Sequence, residues 1–213
     1  VTNIDGIEWK REKWTGLSRW MLRVSEKMAV LFSHAVIADN DCISSYVQDT
    51  YALPCETIPY GGDHTLVARK AGPEFLSLLE GYGLTVCRVE PENNVRMILE
   101  SFAKAEVPLV IIGNWDSSAY GRELREQFAS NPRLHLMDPI YDLSLLRIIR
   151  EKARFYVHGH SAGGTNPSLV EAMHFHQNIL AFDCAFNRST TENCAYYFKN
   201  RAQLESLISE QHT

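Results

Sequence analysis

Between residues 82 and 210 the chain repeats one pattern: a short apolar run, a polar or glycine-rich turn, then an amphipathic helical stretch. The apolar runs are 82–89, 109–113, 134–137, 155–158 and 178–182. Helical spacing follows at 94–105, 121–129, 143–151 and 167–174, with a last helix expected over 201–210. Runs of Val, Ile and Leu without polar alternation belong to strands covered on both faces. Strands that alternate with helices in this way pair in parallel, which makes the fold class α/β. Parallel sheets bind ligands beyond the carboxyl ends of their strands. The segments to inspect are therefore 88–94, 113–120, 138–142 and 158–166.

The first sixty residues read differently. Val1 to Gly6 is turn-rich and reads as the end of a strand. Trp14, Leu17, Met21, Val24 and Met28 recur at spacings of three and four, so a helix is expected over 7–32. A short strand is expected over 35–38, with Asp39 as the cap of a helix over 42–51. The stretch 57–63, with Pro59, Gly61 and Gly62, is rich in breakers and reads as a linker. The chain thus divides into 1–62, the end of one domain and its linker, and 63–213, a complete second domain. It reads as a piece of a longer protein.

Of the 213 residues, 45% are hydrophobic and 22% charged, enough apolar material for a packed core. The net charge of -5 argues against a general nucleic-acid binder. Five scattered cysteines without a CxxC fit a reduced, cytoplasmic chain better than a disulfide framework. No apolar run is long enough to span a membrane. The cluster Trp9, Lys10, Arg11, Lys13, Trp14, Arg19 and Trp20 has the make-up of an interfacial helix, but Glu8, Glu12 and Glu26 dilute its charge, and a solvated helix with a packed tryptophan face fits equally well.

The strongest local signal is the run from His158 through Gly163, Gly164, Thr165 and Asn166 to Met173: strand, small-residue loop, helix. Paired glycines let a ligand approach the backbone, Asn166 suits a cap and Pro167 a first helical turn. Free amides at such a helix start favour an anion, such as a diphosphate. Glu171, about one turn in, can accept hydrogen bonds from ribose hydroxyls, and His160 is placed to touch a bound sugar. The second signal is 87–94, where Arg88 can form bidentate contacts with phosphate and stabilise a leaving diphosphate. A surface ion pair of Arg88 with Glu90 or Glu92 is the plainer alternative.

Two other patterns compete. Gly159 to Gly163 fits G-x-S-x-G, with Ser161 as nucleophile and Asp183 as acid, but His212 is the one histidine downstream and no HGGG element precedes it. Asp39-Asn40-Asp41 matches D-x-D, yet its position after a strand and before a helix reads as capping. The histidines at 158, 160, 174 and 176 lack zinc-site spacing, so no metal is expected.

Taken together, the residues resemble glycosyltransferase family 4. The run 86–95 is similar to the start of that family's second domain, 163–173 to its donor loop ending in Glu-Ala-Met, and 57–63 to its interdomain linker. The opening 3–14 resembles the family's bacterial rhamnosyltransferases. The resemblance implies a GT-B fold: a C-terminal Rossmann-like domain, a parallel sheet with helices on both faces, preceded by the tail end of the N-terminal domain. It implies diphosphate binding by Arg88, ribose binding by Glu171, and phosphate and sugar held by Gly163, Gly164 and Thr165, with Asn93, Asn94, His160, Ser161 and Asn166 alongside. Ile140 falls where backbone groups meet the base. Asn93 stands where the family has a lysine and Gly163 where it has its first glutamate, which suits a 6-deoxy donor.

The resemblance further implies transfer of rhamnose from dTDP-rhamnose with retention, no metal or other cofactor, and a saccharide or lipid-linked saccharide acceptor for a cell-surface polysaccharide. It places the protein in the cytoplasm at the inner membrane face, with peripheral membrane contact and no nucleic-acid partner. A piece of this length is expected to bind nucleotide without turnover. A non-catalytic nucleotide-sugar-binding module is the alternative.

Overall fold

The computed structural model describes residues 1–11, 14–68 and 81–212, and of His212 the backbone alone. Backbone contacts group the chain into two units. One comprises Val1–Tyr60, Ala162–Pro167 and Cys184–Cys194; the other comprises Gly61–Ser161, Ser168–Asp183 and Ala195–Thr213.

In the first unit, β1 (Thr2–Ile4), β2 (Val36–Ala38) and β3 (Glu56–Thr57) form a parallel sheet in that order. Helix α1 (Gly16–Phe32) connects β1 to β2, and α2 (Asp41–Tyr51) connects β2 to β3. Ile4, Val30, Val36, Ala38, Ile43, Val47 and Cys55 make the core. Helix α1 starts at Gly16, nine residues later than the spacing suggested, after a single 3-10 turn at Glu8–Lys10. Glu8 accepts from Trp14 Nε1 at 2.9 Å, a contact across six positions that a continuous helix does not make. Lys13 and Glu12 of the basic, tryptophan-rich cluster lie outside the described residues.

The apolar stripe of α1 does not face this core. Leu17, Trp20, Met21, Val24, Met28 and Phe32 are exposed, and Leu22, Glu26, Ala29 and Val30 form the inner side. Glu26 there accepts hydrogen bonds from the hydroxyls of Tyr46 and Tyr51, both at 2.6 Å.

In the second unit six parallel strands run in the order β6-β5-β4-β7-β8-β9. They are β4 (Gly83–Val86), β5 (Leu109–Ile112), β6 (Leu134–Met137), β7 (Phe155–His158), β8 (Asn178–Phe182) and β9 (Tyr196–Phe198). Their helices are α3 (Val95–Phe102), α4 (Ala119–Phe128), α5 (Leu143–Lys152), α6 (Pro167–Met173) and α8 (Arg201–His212). Alternate residues point to opposite faces. Leu109, Ile111, Phe155 and Val157 meet α3, α4 and α8 on one face. Leu84, Val110, Ile112 and Tyr156 meet α5 and Ala172 of α6 on the other. Both faces are sealed, as the unbroken apolar runs required. The order also has a switch point: β4 lies between β5 and β7, so the segments after β4 and β7 emerge side by side at the carboxyl edge.

Two elements had no clear sequence signal. Helix α7 (Ala185–Thr190) belongs to the first unit, and β9 is an edge strand of only three residues.

Candidate functional site

The segments after β4 and β7 are stitched together within the second unit. Asn93 Nδ2 donates to the Arg88 carbonyl at 2.8 Å, and Asn93 Oδ1 lies 2.9 Å from His160 Nδ1. Because the Asn93 amide oxygen is the acceptor, His160 carries its proton on Nδ1 in this arrangement. Asn94 Nδ2 donates to the Gly159 carbonyl at 2.8 Å, and Asn94 itself adopts the left-handed region at φ 51°. Ser161 donates to the Glu92 carbonyl twice, from its amide at 2.9 Å and its hydroxyl at 2.8 Å. Glycine is required at 159, where any side chain would meet the Asn93 carbonyl oxygen. Asn93, Asn94, His160 and Ser161 therefore form one hydrogen-bonded patch.

Arg88 sits on the rim of this patch. Its side chain is 65% exposed and lies 3.8 Å from Glu90, the surface pair that the sequence allowed. At that exposure such a pair contributes about 0–1 kcal/mol, so it holds the guanidinium weakly. Ile140 is half-buried against the α5 side of the sheet.

Glu171 has two partners of its own in the same unit. Its Oε2 takes a hydrogen bond from Arg150 Nη2, and its Oε1 lies 3.1 Å from His64 Nε2. Neither Arg150 nor His64 carried a sequence signal. Arg150 is only 2% exposed, and an arginine on the inner face of an otherwise amphipathic helix is the cue that could have found it.

His158, at the end of β7, is a core histidine. It is 2% exposed, its ring stacks on Tyr156 at 6.1 Å, and burial with the adjacent His160 pushes its pKa down to about 3. Among the described residues no group of three or more His, Cys, Asp or Glu side chains gathers to hold a metal ion. The Ser161 hydroxyl is committed to a backbone carbonyl. For His212, the base of the hydrolase reading, the side chain lies outside what is described.

The glycine loop, 162–167, belongs by its contacts to the first unit. Gly163 has φ 113°, a region that favours glycine. Side chains at Gly6 or Gly164 would collide with the backbone of the opposite segment, so 5–6 and 163–164 run in direct contact. Asn40 fastens the loop. Its Oδ1 caps α2 at Cys42 N, 2.8 Å, and its Nδ2 reaches Thr165 Oγ1 at 3.1 Å, Phe186 O at 3.2 Å and Thr190 Oγ1 at 2.9 Å. The helix cap expected at Asp39 is thus Asn40. Asp39 is instead buried, at 4% exposure, and neither carboxylate oxygen has a hydrogen-bond partner among the described residues. Burial, then the charge of Asp5, pushes its pKa up to about 6, against weaker opposing pulls from its own amide and from Thr165. Asp5 and Asp39 directly follow the paired positions Ile4 and Ala38, so both stand at the carboxyl edge of the three-stranded sheet.

A family described as "Domain of unknown function (DUF1972)" matches residues 1–63. No curated protein sequence matches the chain. Solved structures do match. The structure of Anabaena HepE in complex with UDP-glucose superimposes with a TM-score of 0.77 at 16% identity, covering 98% of this chain and 61% of that one. Sucrose-phosphate synthase from Thermosynechococcus elongatus gives 0.71 at 14% identity, over 96% and 55%. The pneumococcal O-GlcNAc transferase GtfA in complex with UDP and GlcNAc gives 0.64 at 15% identity, over 88% and 39%. These neighbours are GT-B glycosyltransferases. The chain has their fold: parallel sheets flanked by helices, as in the C-terminal Rossmann-like domains of GT-B enzymes. It spans 39–61% of the length of these three. Among the described residues no helix is long and apolar enough to cross a membrane.

Proposed function

We propose that this chain is the nucleotide-sugar-binding portion of a glycosyltransferase. The observation that carries the reading is the patch at the switch point of the six-stranded sheet. There the segments after β4 and β7 are joined by Asn93, Asn94, His160 and Ser161, with a weakly held arginine on the rim. A switch point at the carboxyl edge is where open α/β sheets take nucleotides. Arg88, released from Glu90, binds the diphosphate and stabilises it as the leaving group. Glu171 accepts from the ribose hydroxyls. Gly163, Gly164, Thr165 and Asn166 offer backbone and side-chain donors to phosphate and sugar, and Ile140 offers backbone to the base. By their own names, the neighbours include structures holding UDP, UDP-glucose or GlcNAc, which supports a nucleoside-diphosphate sugar as donor.

The finer reading is transfer of rhamnose from dTDP-rhamnose, with retention and without a metal or other cofactor. Its support is the resemblance of 3–14 to bacterial rhamnosyltransferases together with Asn93 and Gly163 at positions where the family has charged residues. The acceptor is a saccharide or lipid-linked saccharide presented at the inner face of the cytoplasmic membrane. Residues 1–62 belong to the acceptor domain and its linker, and 63–213 to the donor domain.

Calorimetric titration with dTDP and with UDP, repeated with Arg88→Ala, tests this. Binding of dTDP in preference to UDP, lost in the variant, is the expected result. A preference for UDP overturns the donor assignment, and binding that survives Arg88→Ala overturns the role of Arg88.

A further inference from the structure

Both oxygens of Glu171 are already engaged, by partners of opposite character. Arg150 approaches from α5 and is nearly sealed from solvent, at 2% exposure. Its guanidinium lies over the Phe175 ring, 5.9 Å from the centroid, and its Nε has no hydrogen-bond partner among the described residues. A buried ion pair contributes little net stability compared with an apolar pair of the same volume. Core packing alone therefore gives no reason for an arginine here. What it does achieve is to fix one oxygen of Glu171.

His64 comes from the other side and is 52% exposed. It rides on a 3-10 turn at Asp63–Thr65, closed on itself by the Thr65 hydroxyl donating to the Gly62 carbonyl at 2.7 Å. Two contacts join this strap to the rest of the unit: Gly62 lies against the His174 ring, and Arg147 donates to the Val67 carbonyl. The imidazole itself meets Glu171 through one exposed contact of 3.1 Å.

Resting on the donor reading above, we infer that Arg150 is a positioning residue for the ribose-binding carboxylate, and that His64 is a built-in competitor for it. The hydroxyls of a nucleotide's ribose or deoxyribose need the oxygen that His64 covers. Nucleotide binding exchanges the His64 contact for a sugar hydroxyl and leaves the Arg150 contact unchanged. Removing the two partners must then act in opposite directions.

The test is titration of dTDP and UDP into the wild-type chain, His64→Ala and Arg150→Met, with thermal melts of all three. His64→Ala should tighten nucleotide binding by roughly 5-fold, the effect of one net hydrogen bond. Arg150→Met should weaken it by roughly 10-fold or more with the fold retained. A purely structural role for both residues would weaken binding in both variants and overturns the inference. So does weaker binding in His64→Ala alone, which would make His64 a ligand, or unchanged binding in Arg150→Met. If Arg150→Met does not fold, the sign of the His64→Ala effect decides. Absence of nucleotide binding by the wild-type chain itself defeats the donor reading, and the roles of Arg150 and His64 with it.

Discussion

Replacing Asp39 with asparagine should make the protein more stable at neutral and alkaline pH. The wild-type carboxylate is buried and feels the charge of Asp5, and these outweigh the opposing pulls of its own amide and of Thr165. Its pKa is pushed up from 3.8 to about 6. One pKa unit corresponds to about 1.36 kcal/mol, so a rise of this size gives an upper bound of about 3 kcal/mol. Solvent screening and local relaxation reduce this to about 1–2 kcal/mol. The sign follows from linkage. The folded state holds the proton more tightly than the unfolded one, so this group's contribution is fully present below pH 3.8 and lost as the pH rises through 6. The Asp39→Asn substitution removes the charge and with it the penalty. Urea unfolding at pH 8 should show the variant more stable by about 1–2 kcal/mol, a rise in melting temperature of roughly 2–6 °C. The difference should shrink as the pH falls and approach zero only near pH 3, below the unfolded value of 3.8. A variant that is less stable at pH 8 would refute the reasoning, because it would mean that the ionised carboxylate has a favourable partner.

Asn40→Ala removes the cap of α2 and three further donor contacts. It should cost about 1–3 kcal/mol in urea unfolding, and a loss under about 0.5 kcal/mol would contradict the fastening role. Gly159→Ala drives a methyl group into the Asn93 carbonyl and Ile98. Nucleotide binding should be lost in titration, together with about 1–3 kcal/mol of stability; wild-type affinity would separate the patch from the site. His158, with its pKa pushed down to about 3 by burial, stays neutral over the working range. Its ring signals should not titrate between pH 5 and 8, and its contribution to stability, present above about 6.5, should fall as acid charges the unfolded state. Trp115 is fully buried and donates from Nε1 to the Met137 carbonyl at 2.9 Å. Trp115→Ala should cost about 3–5 kcal/mol by thermal unfolding, and a smaller loss would show that the α4 side of the sheet collapses to fill the space.

The second unit was legible because its strands are sealed on both faces. Runs such as Leu109–Ile112 and Phe155–His158 are almost wholly apolar, and β6, β7 and β8 have the bounds that the sequence suggested. The first unit was less so. Helix α1 has a strong apolar period, but the stripe from Leu17 to Phe32 faces away from the core beneath it, and periodicity does not say which side is covered. Its start was misplaced because Glu8 takes the Trp14 indole N–H across six positions, a side-chain contact that spacing does not reveal. β9 and α7 are too short to show a period of their own.

At the candidate site, glycines and the Arg88 and Glu171 positions stood out as residue types in a pattern. The partners that hold them did not. Arg150 and His64 reach Glu171 across 21 and 107 positions of chain, and Asn40 reaches Thr165 across 125. Such pairings are set by strand order rather than local sequence. Asp39 was read as a cap because the residue after a strand and before a helix usually caps. Here the cap shifted by one to Asn40, whose amide satisfies the helix and the glycine loop at once.

The central claim is that a nucleoside diphosphate binds at the switch point of the six-stranded sheet. The most direct measurement is a backbone amide NMR titration of the chain with dTDP. The account predicts saturable shifts concentrated at 88–94, 158–161 and the segment around Glu171. Shifts confined to other parts of the chain, or none at millimolar dTDP, would contradict it.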